Sequence, residues 1–190
     1  VLGKRRRDPF AGIALSSALW GAELHGELAI FNTPERIPEP GTLGSDHLAT
    51  KAIVGASHSW DLRYELVLTA EYLYSGFGVP QVEEAAARLE SPAFQRRVQR
   101  GDLQLLGRHG IALHAAYGVA LVVPLTATWI LSPVDGSGVV SAAVSWTASD
   151  EVTIVASAYW PHGASARSGE LRSEYGAVPV SGLLQLNFYY

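Results

Sequence analysis

The chain is 190 residues long, 48% hydrophobic and 17% charged, with a formal net charge of -4, 19 Gly, 10 Pro and neither Cys nor Met. The length fits one domain, the apolar fraction excludes a disordered chain, and the lack of Cys excludes a disulfide framework, a thiolate zinc site and a Cys nucleophile. The charge balance offers nucleic acid no basic footprint, and a mean hydropathy of +0.13 is high for a soluble domain.

In chain order, the basic run Lys4 to Arg7 precedes an apolar stretch from Phe10 to Ala22. Basic-then-apolar order imitates a secretory signal. Asp8, Pro9 and the charge at Glu23 instead suit an exposed outer loop, residues 1–10, leading into a strand over 11–20. A strand over 22–31 sets Ala22, Leu24, Gly26, Leu28 and Ile30 against Glu23, His25, Glu27, Ala29 and Phe31. Weaker alternation around Lys51 gives a strand over 48–57. The clearest segment is 62–74, with Leu62, Tyr64, Leu66, Leu68, Ala70, Tyr72 and Tyr74 on one parity. Arg63, Glu65, Val67, Thr69, Glu71 and Leu73 occupy the other. Period two means a strand with one apolar and one polar face. Soluble strands average about 5–6 residues, whereas a tilted strand needs about 9–11 to cross a bilayer.

Helical spacing over Val82–Leu89 and Phe94–Val98, with Glu83, Glu84 and Glu90 facing Arg96, Arg97 and Arg100, predicts a short helical element in the 81–99 loop. Strands follow over 105–117, 120–131, 138–147, 152–160 and 181–190, nine in all. The run from Ile111 to Val134 carries no Asp, Glu, Lys or Arg and is long enough for a transmembrane helix. Gly118, Pro124 and the alternating threonines read instead as a hairpin, although Pro124 removes a ladder N–H from a strand expected to pair on both sides.

Connections alternate in length. Trp20–Gly21, His58–Asp61, Gly118–Val119 and Ala148–Glu151 are short; loops 32–47, 75–102 and 161–180 are long. Such segregation marks an up-and-down antiparallel barrel. Aromatics sort with it: Trp20, Trp60, Tyr117, Trp146 and Tyr190 at short-turn ends, and Phe31, Tyr72, Tyr74, Trp129 and Trp160 at long-loop ends. Amphipathic rings belong at the headgroup level of a membrane.

The chain ends in Gly182, Leu183, Leu184, Gln185, Leu186, Asn187, Phe188, Tyr189 and Tyr190. Alternate hydrophobics at Leu184, Leu186 and Phe188 with a terminal aromatic at Tyr190 resemble the C-terminal assembly signal of Gram-negative outer-membrane β-barrel proteins. Porin-like and export-channel barrels are nearest in flavour. The resemblance implies an outer-membrane location, contact with lipid and lipopolysaccharide, and a barrel-assembly machinery as partner. The expected fold is therefore all-β, a single transmembrane β-barrel domain over 1–190, complete or incomplete. Bacterial single-chain barrels have even strand counts. Nine strands then mean either the C-terminal portion of a larger barrel, the reading adopted, or eight strands if 11–20 belongs to a signal.

Glu23, His25, Glu27, Lys51, Arg63, Glu65, Glu71 and His114 are the candidate lumen-lining residues. They would bias solutes in a wide pore or form a satisfied polar filling in a narrow one. Arg96, Arg97 and Arg100 could narrow a pore, meet lipopolysaccharide phosphates, or stay solvated in an outer loop. The six His show no metal spacing, and no cofactor is expected. His58 with Ser59, and His162 with Ser165, read as turn residues, so no enzyme activity is expected. The functional expectation is a porin-like channel for small polar solutes. The alternatives are a non-conducting structural or adhesion barrel acting through its loops, and a soluble lipocalin-like ligand-binding barrel with its apolar parity inward.

Overall fold

The computed structural model describes residues 9–37, 41–168 and 170–189; the basic run at 4–7 and Tyr190 lie outside them. Nine antiparallel strands form one sheet in chain order. They are β1 (Phe10–Leu19), β2 (Ala22–Asn32), β3 (Leu48–Asp61), β4 (Glu65–Ser75), β5 (His109–Ala120), β6 (Val123–Ser132), β7 (Ser137–Ser149), β8 (Val152–His162) and β9 (Ser181–Phe188). Two helices, α1 (Glu83–Leu89) and α2 (Pro92–Arg100), occupy the β4–β5 loop as the spacing predicts. Segment 11–20 is strand as far as Leu19, paired with β2, with Trp20 in the turn, and Ile111 to Val134 falls mostly in the β5–β6 hairpin. No helix among the described residues is long and apolar enough to cross a membrane.

The sheet is open and not a closed barrel: among the described residues β1 and β9 do not pair. Strand polarity gives a reason. With nine alternating strands, β1 and β9 both run from the long-loop end to the short-turn end, so they cannot meet as an antiparallel pair. The ladder is also staggered. One row of register partners passes from Leu19, the last residue of β1, through Ala22, His58, Leu68, Ala115, Ala127, Ala142 and Ala158 to Gly182, the second of β9. Such shear accompanies tilted strands in a curved wall.

Several strand ends shift from their sequence positions. Asp61 pairs Glu65, so Leu62, Arg63 and Tyr64 make the β3–β4 turn although their alternation continues that of β4. Residues 105–108 belong to the loop before β5. At the β1–β2 turn, Trp20 and Gly21 both have positive φ, 51° and 79°, as a two-residue hairpin whose twist matches its strands requires. Pro124 sits opposite Gly118 beside an irregularity in the ladder, and the β6–β7 pairing begins only at Leu125. Its missing N–H leaves a gap opposite Ser145, between the Leu125–Val144 pair and the Thr147 N–H bond to the Val122 carbonyl.

One face of the sheet is apolar and exposed: Ile13, Leu15, Leu28, Val54, Leu68, Leu113, Leu125, Val140, Leu184 and Leu186 share it. The opposite face is concave, since Glu71 of β4 and Tyr159 of β8 line one cavity of about 450 Å³. Among the described residues no second layer covers the apolar face. Of the nine buried hydrophobic residues among those described, only Ala49 and Val139 lie on strands; the others, Ile37, Phe77, Val79, Val82, Ala85, Phe94 and Leu105, belong to the long loops and their helices.

Candidate functional site

Strand register sorts the expected lumen residues. Glu23, His25 and Glu27 of β2, Lys51 of β3, Glu71 of β4 and His114 of β5 all occupy the concave parity. Glu65 shares it at the first position of β4, on the short-turn rim opposite Asp61. Arg63 lies in the adjoining turn, its guanidinium 5.9 Å from the Tyr64 ring, and is not part of the wall. Every acidic or basic side chain on a strand's concave parity belongs to β2, β3 or β4. Along β5 to β9 that parity has no Asp, Glu, Lys or Arg: it mixes Ser, Thr, Ala and amides with Ile130, Val139, Val155 and Leu183, and His114 shares a hydrogen bond with Thr128 Oγ1 at 2.9 Å.

One cross-strand contact skips a strand. His25, Gly55 and Glu71 are register partners in turn, and His25 Nε2 bonds Glu71 Oε1 at 3.0 Å over the glycine between them. A Cβ at position 55 would stand 2.6 Å from the imidazole and 2.9 Å from Glu71 Cγ. Glycine here supplies space, and the alternation pattern shows it only as a gap.

The loops fold over the long-loop end of the concavity as a cap. Lys51 Nζ donates to Gln104 Oε1 at 3.0 Å and stands 5.7 Å from the Phe77 ring centre, tying the β4–β5 loop to the wall. Gln104, Leu105 and Tyr175 enter the cavity alongside Glu71 and Tyr159. Phe77 packs with Ile37 and Ala49; Val79, Ala85 and Phe94 form a second cluster. Phe31, expected among the interface aromatics, faces this core, 5.5 Å from Phe77. Its parity is the concave one, which sorting aromatics by height alone does not register. Arg97, 1% exposed, donates to Thr33 Oγ1 and the Glu35 carbonyl and lies 4.9 Å from the Phe77 ring centre, while Arg96 forks onto Glu35 Oε1. Burial pushes the Glu35 carboxyl up, but the Arg96 hydrogen bond and the charges of Arg96, Arg97 and Arg100 outweigh it and hold the carboxyl below its ordinary value.

A second tie joins three loops. Glu174 accepts from the backbone N–H of Leu106 at 2.8 Å and of Gly107 at 3.4 Å, and its own N–H donates to Asp135 at 2.6 Å. Asp135 also takes the Ser137 N–H and hydroxyl. Burial would raise both acids. Hydrogen bonds win at Asp135 and hold it low; at Glu174 burial and the Asp135 charge win and push it up. Burial, with Glu174 next to it, also raises Tyr175. Asp135 and Ser137 are two positions apart, but the contacts that join different loops follow no sequence motif, because their partners lie 39 to 68 positions apart.

The expected interface aromatics Trp60, Tyr72, Tyr74, Tyr117, Trp129, Trp146 and Trp160 all fall on the convex parity, and Trp20 stands in its turn, 91% exposed. At the long-loop rim Tyr72 bonds His109 at 2.6 Å and Trp129 Nε1 donates to His162 Nε2 at 3.1 Å. Leu184, Leu186 and Phe188 are convex residues of β9, whereas Tyr190 lies outside the described residues. Among the described residues no group of three His, Asp or Glu side chains is placed to hold a metal. Comparison with family models, curated proteins and solved structures finds no match to this chain.

Proposed function

We propose that this sheet is the wall of a Gram-negative outer-membrane β-barrel acting as a porin-like channel for small polar solutes. The observation that carries the reading is a curved single-layer sheet whose convex face exposes aliphatic side chains while its concave face holds the charges. Soluble monomers rarely leave contiguous apolar patches beyond a few hundred Å² uncovered. Lipid would cover this one. Strands of 8 to 14 residues bracket the about 9–11 that a crossing needs, and the convex rim aromatics suit two headgroup layers. Lipid and lipopolysaccharide are the surrounding partners, and Leu184, Leu186 and Phe188 with Tyr190 the residues offered to an assembly machinery. Along the concavity, Glu23, Glu27 and Glu71, with Lys51 on the same wall, set a local field that biases which ions and solutes enter. No chemistry on the solute is required, so no enzymatic role is assigned.

Planar-bilayer recording of the folded, inserted protein tests this: stepwise conductance is expected, and silent membranes overturn the channel. Silence would favour a second reading, a non-conducting barrel that binds through its loops. One observation favours it: the cap has its own buried core and sends Leu105 and Tyr175 into the cavity. Solubility without detergent would overturn both and leave a ligand-binding barrel in water.

A further inference from the structure

Between the concave wall and the cap lies a cavity of about 450 Å³, inside the range of about 300–1,000 Å³ usual for small-molecule sites. Its lining is unlike the rest of the concavity. Ile53, Leu73 and Ile130 of the wall and Leu105 of the cap make it mostly apolar. Tyr159 brings an aromatic ring from the wall and Tyr175 another from the cap. Among the described residues that line it, Glu71 is the one Asp, Glu, Lys or Arg.

Neighbouring positions give this lining its form. A Cβ at Gly110 would collide with Leu105 Cδ1, so the glycine is the gap that seats Leu105 against the wall. On either side of Glu71 the register partners are Gly55 and Ala112, too short to cover its carboxylate. His25 Nε2 bonds Glu71 Oε1 across Gly55, while Oε2 has no hydrogen-bond partner among the described residues. The Glu71 side chain is partly exposed. Lys51, the basic residue of the same wall, is held on Gln104 Oε1 and beside the Phe77 ring, and it does not line the cavity.

We propose that this cavity binds small organic cations, an ammonium group carried on an apolar body. The apolar body would displace water from Ile53, Leu73, Leu105 and Ile130. The ammonium would meet the open oxygen of Glu71 and the faces of Tyr159 and Tyr175, which attract cations. A carboxylate ligand would be repelled by Glu71, and a neutral one would leave that charge unanswered. A purely polar solute gains nothing from the aliphatic lining. The inference rests on the channel reading above in taking the concavity as the solute path, and it names the class of solute retained there.

Benzylammonium is the probe, with benzyl alcohol and benzoate as neutral and anionic counterparts. Each is titrated into the 190-residue chain in non-ionic detergent and followed by residue-resolved amide shifts. Benzylammonium should shift Glu71, Leu105 and Tyr175 and bind at least about tenfold more tightly than benzyl alcohol, with benzoate weakest. Glu71→Gln should remove that advantage while benzyl alcohol stays within about twofold of its original affinity. Equal affinities for the three probes in the unsubstituted chain overturn the proposal, whether or not the variant folds. So do shifts confined to the convex face. Bilayer recording keeps the two readings apart. A conducting protein that does not prefer benzylammonium defeats the site alone; a silent protein that still prefers it defeats the channel alone.

Discussion

The cap and the sheet treat apolar surface in opposite ways. The cap hides its large side chains from water: Phe77 is 2% exposed, Phe94 5%, and the Arg97 guanidinium is held by Glu35, Thr33 and the Phe77 face. The sheet leaves Val54 58% and Leu184 73% exposed along one continuous face. A loop assembly with its own core suits water. A single-layer sheet with an uncovered aliphatic face needs an apolar phase from outside. On the proposed barrel reading, the boundary between the two is a boundary between solvents, and it falls at the long-loop ends of the strands.

Breaking the cap should produce the largest local effect. Phe77→Ala removes the ring shared by Phe31, Ile37, Ala49 and Arg97 and should cost the cap about 3–5 kcal/mol. Limited proteolysis over 76–108 checks this, with strand content by circular dichroism expected to stay unchanged. Loss of the strands along with the cap would show the two regions to be one cooperative unit. The sheet is sharpened next by a neighbouring pair on β5. Leu113 faces outward and Ala112 inward, opposite Glu71. Leu113→Arg should cost about 2–4 kcal/mol of folding stability in lipid vesicles, whereas Ala112→Arg, with cavity space and Glu71 beside it, should cost less than about 1 kcal/mol. Equal costs would remove the distinction between the faces.

Period-two alternation made the strands and their faces legible because a strand side chain's direction depends only on parity. Hence Glu23, His25, Glu27, Lys51, Glu71 and His114 could be grouped before any coordinates. Arg63 was not separable, since alternation runs on through Leu62 and Tyr64 while the chain reverses. Closure was not legible either: parity says nothing about what an edge strand meets. The cap was least legible of all. Its helices were visible from spacing, but the Arg97–Glu35 and Glu174–Leu106 contacts depend on loop paths that no local period encodes.

Acidification should separate the acids of the cap by sign. Glu35 and Asp135, held below ordinary values of 4.5 and 3.8, contribute stability above those values that is lost as pH falls through their lowered folded values. Glu174 has the opposite sign: pushed above 4.5, its buried charge costs stability near neutrality, and the cost is relieved as pH falls through its raised value. Cap protection should thus hold or rise between about pH 7 and 5 and fall below about pH 4. Glu174→Gln should flatten the upper limb and leave the lower. A steady decline from pH 7 would contradict the assigned signs.

The smallest effect on stability tests how loosely the concave wall is packed. Gly55→Ala puts a methyl group 2.6 Å from the His25 ring and 2.9 Å from Glu71 Cγ. The His25 contact is the tip of its ring and Glu71 can turn about its Cα–Cβ bond; with these side chains 28% and 43% exposed, they should rotate apart while the backbone stays in place. The substitution gains about 0.4–1 kcal/mol by restricting the unfolded chain and loses one partly exposed His–Glu contact worth about 0–1 kcal/mol. Net stability should stay within about 1 kcal/mol, read from urea unfolding in lipid. Separating His25 from Glu71 should still change ion preference in a bilayer recording, because the carboxylate then faces the lumen without its partner. A cost above about 2 kcal/mol would mean these side chains have nowhere to turn. The concave wall would then be packed as tightly as the cap, and a lumen of that density could not conduct.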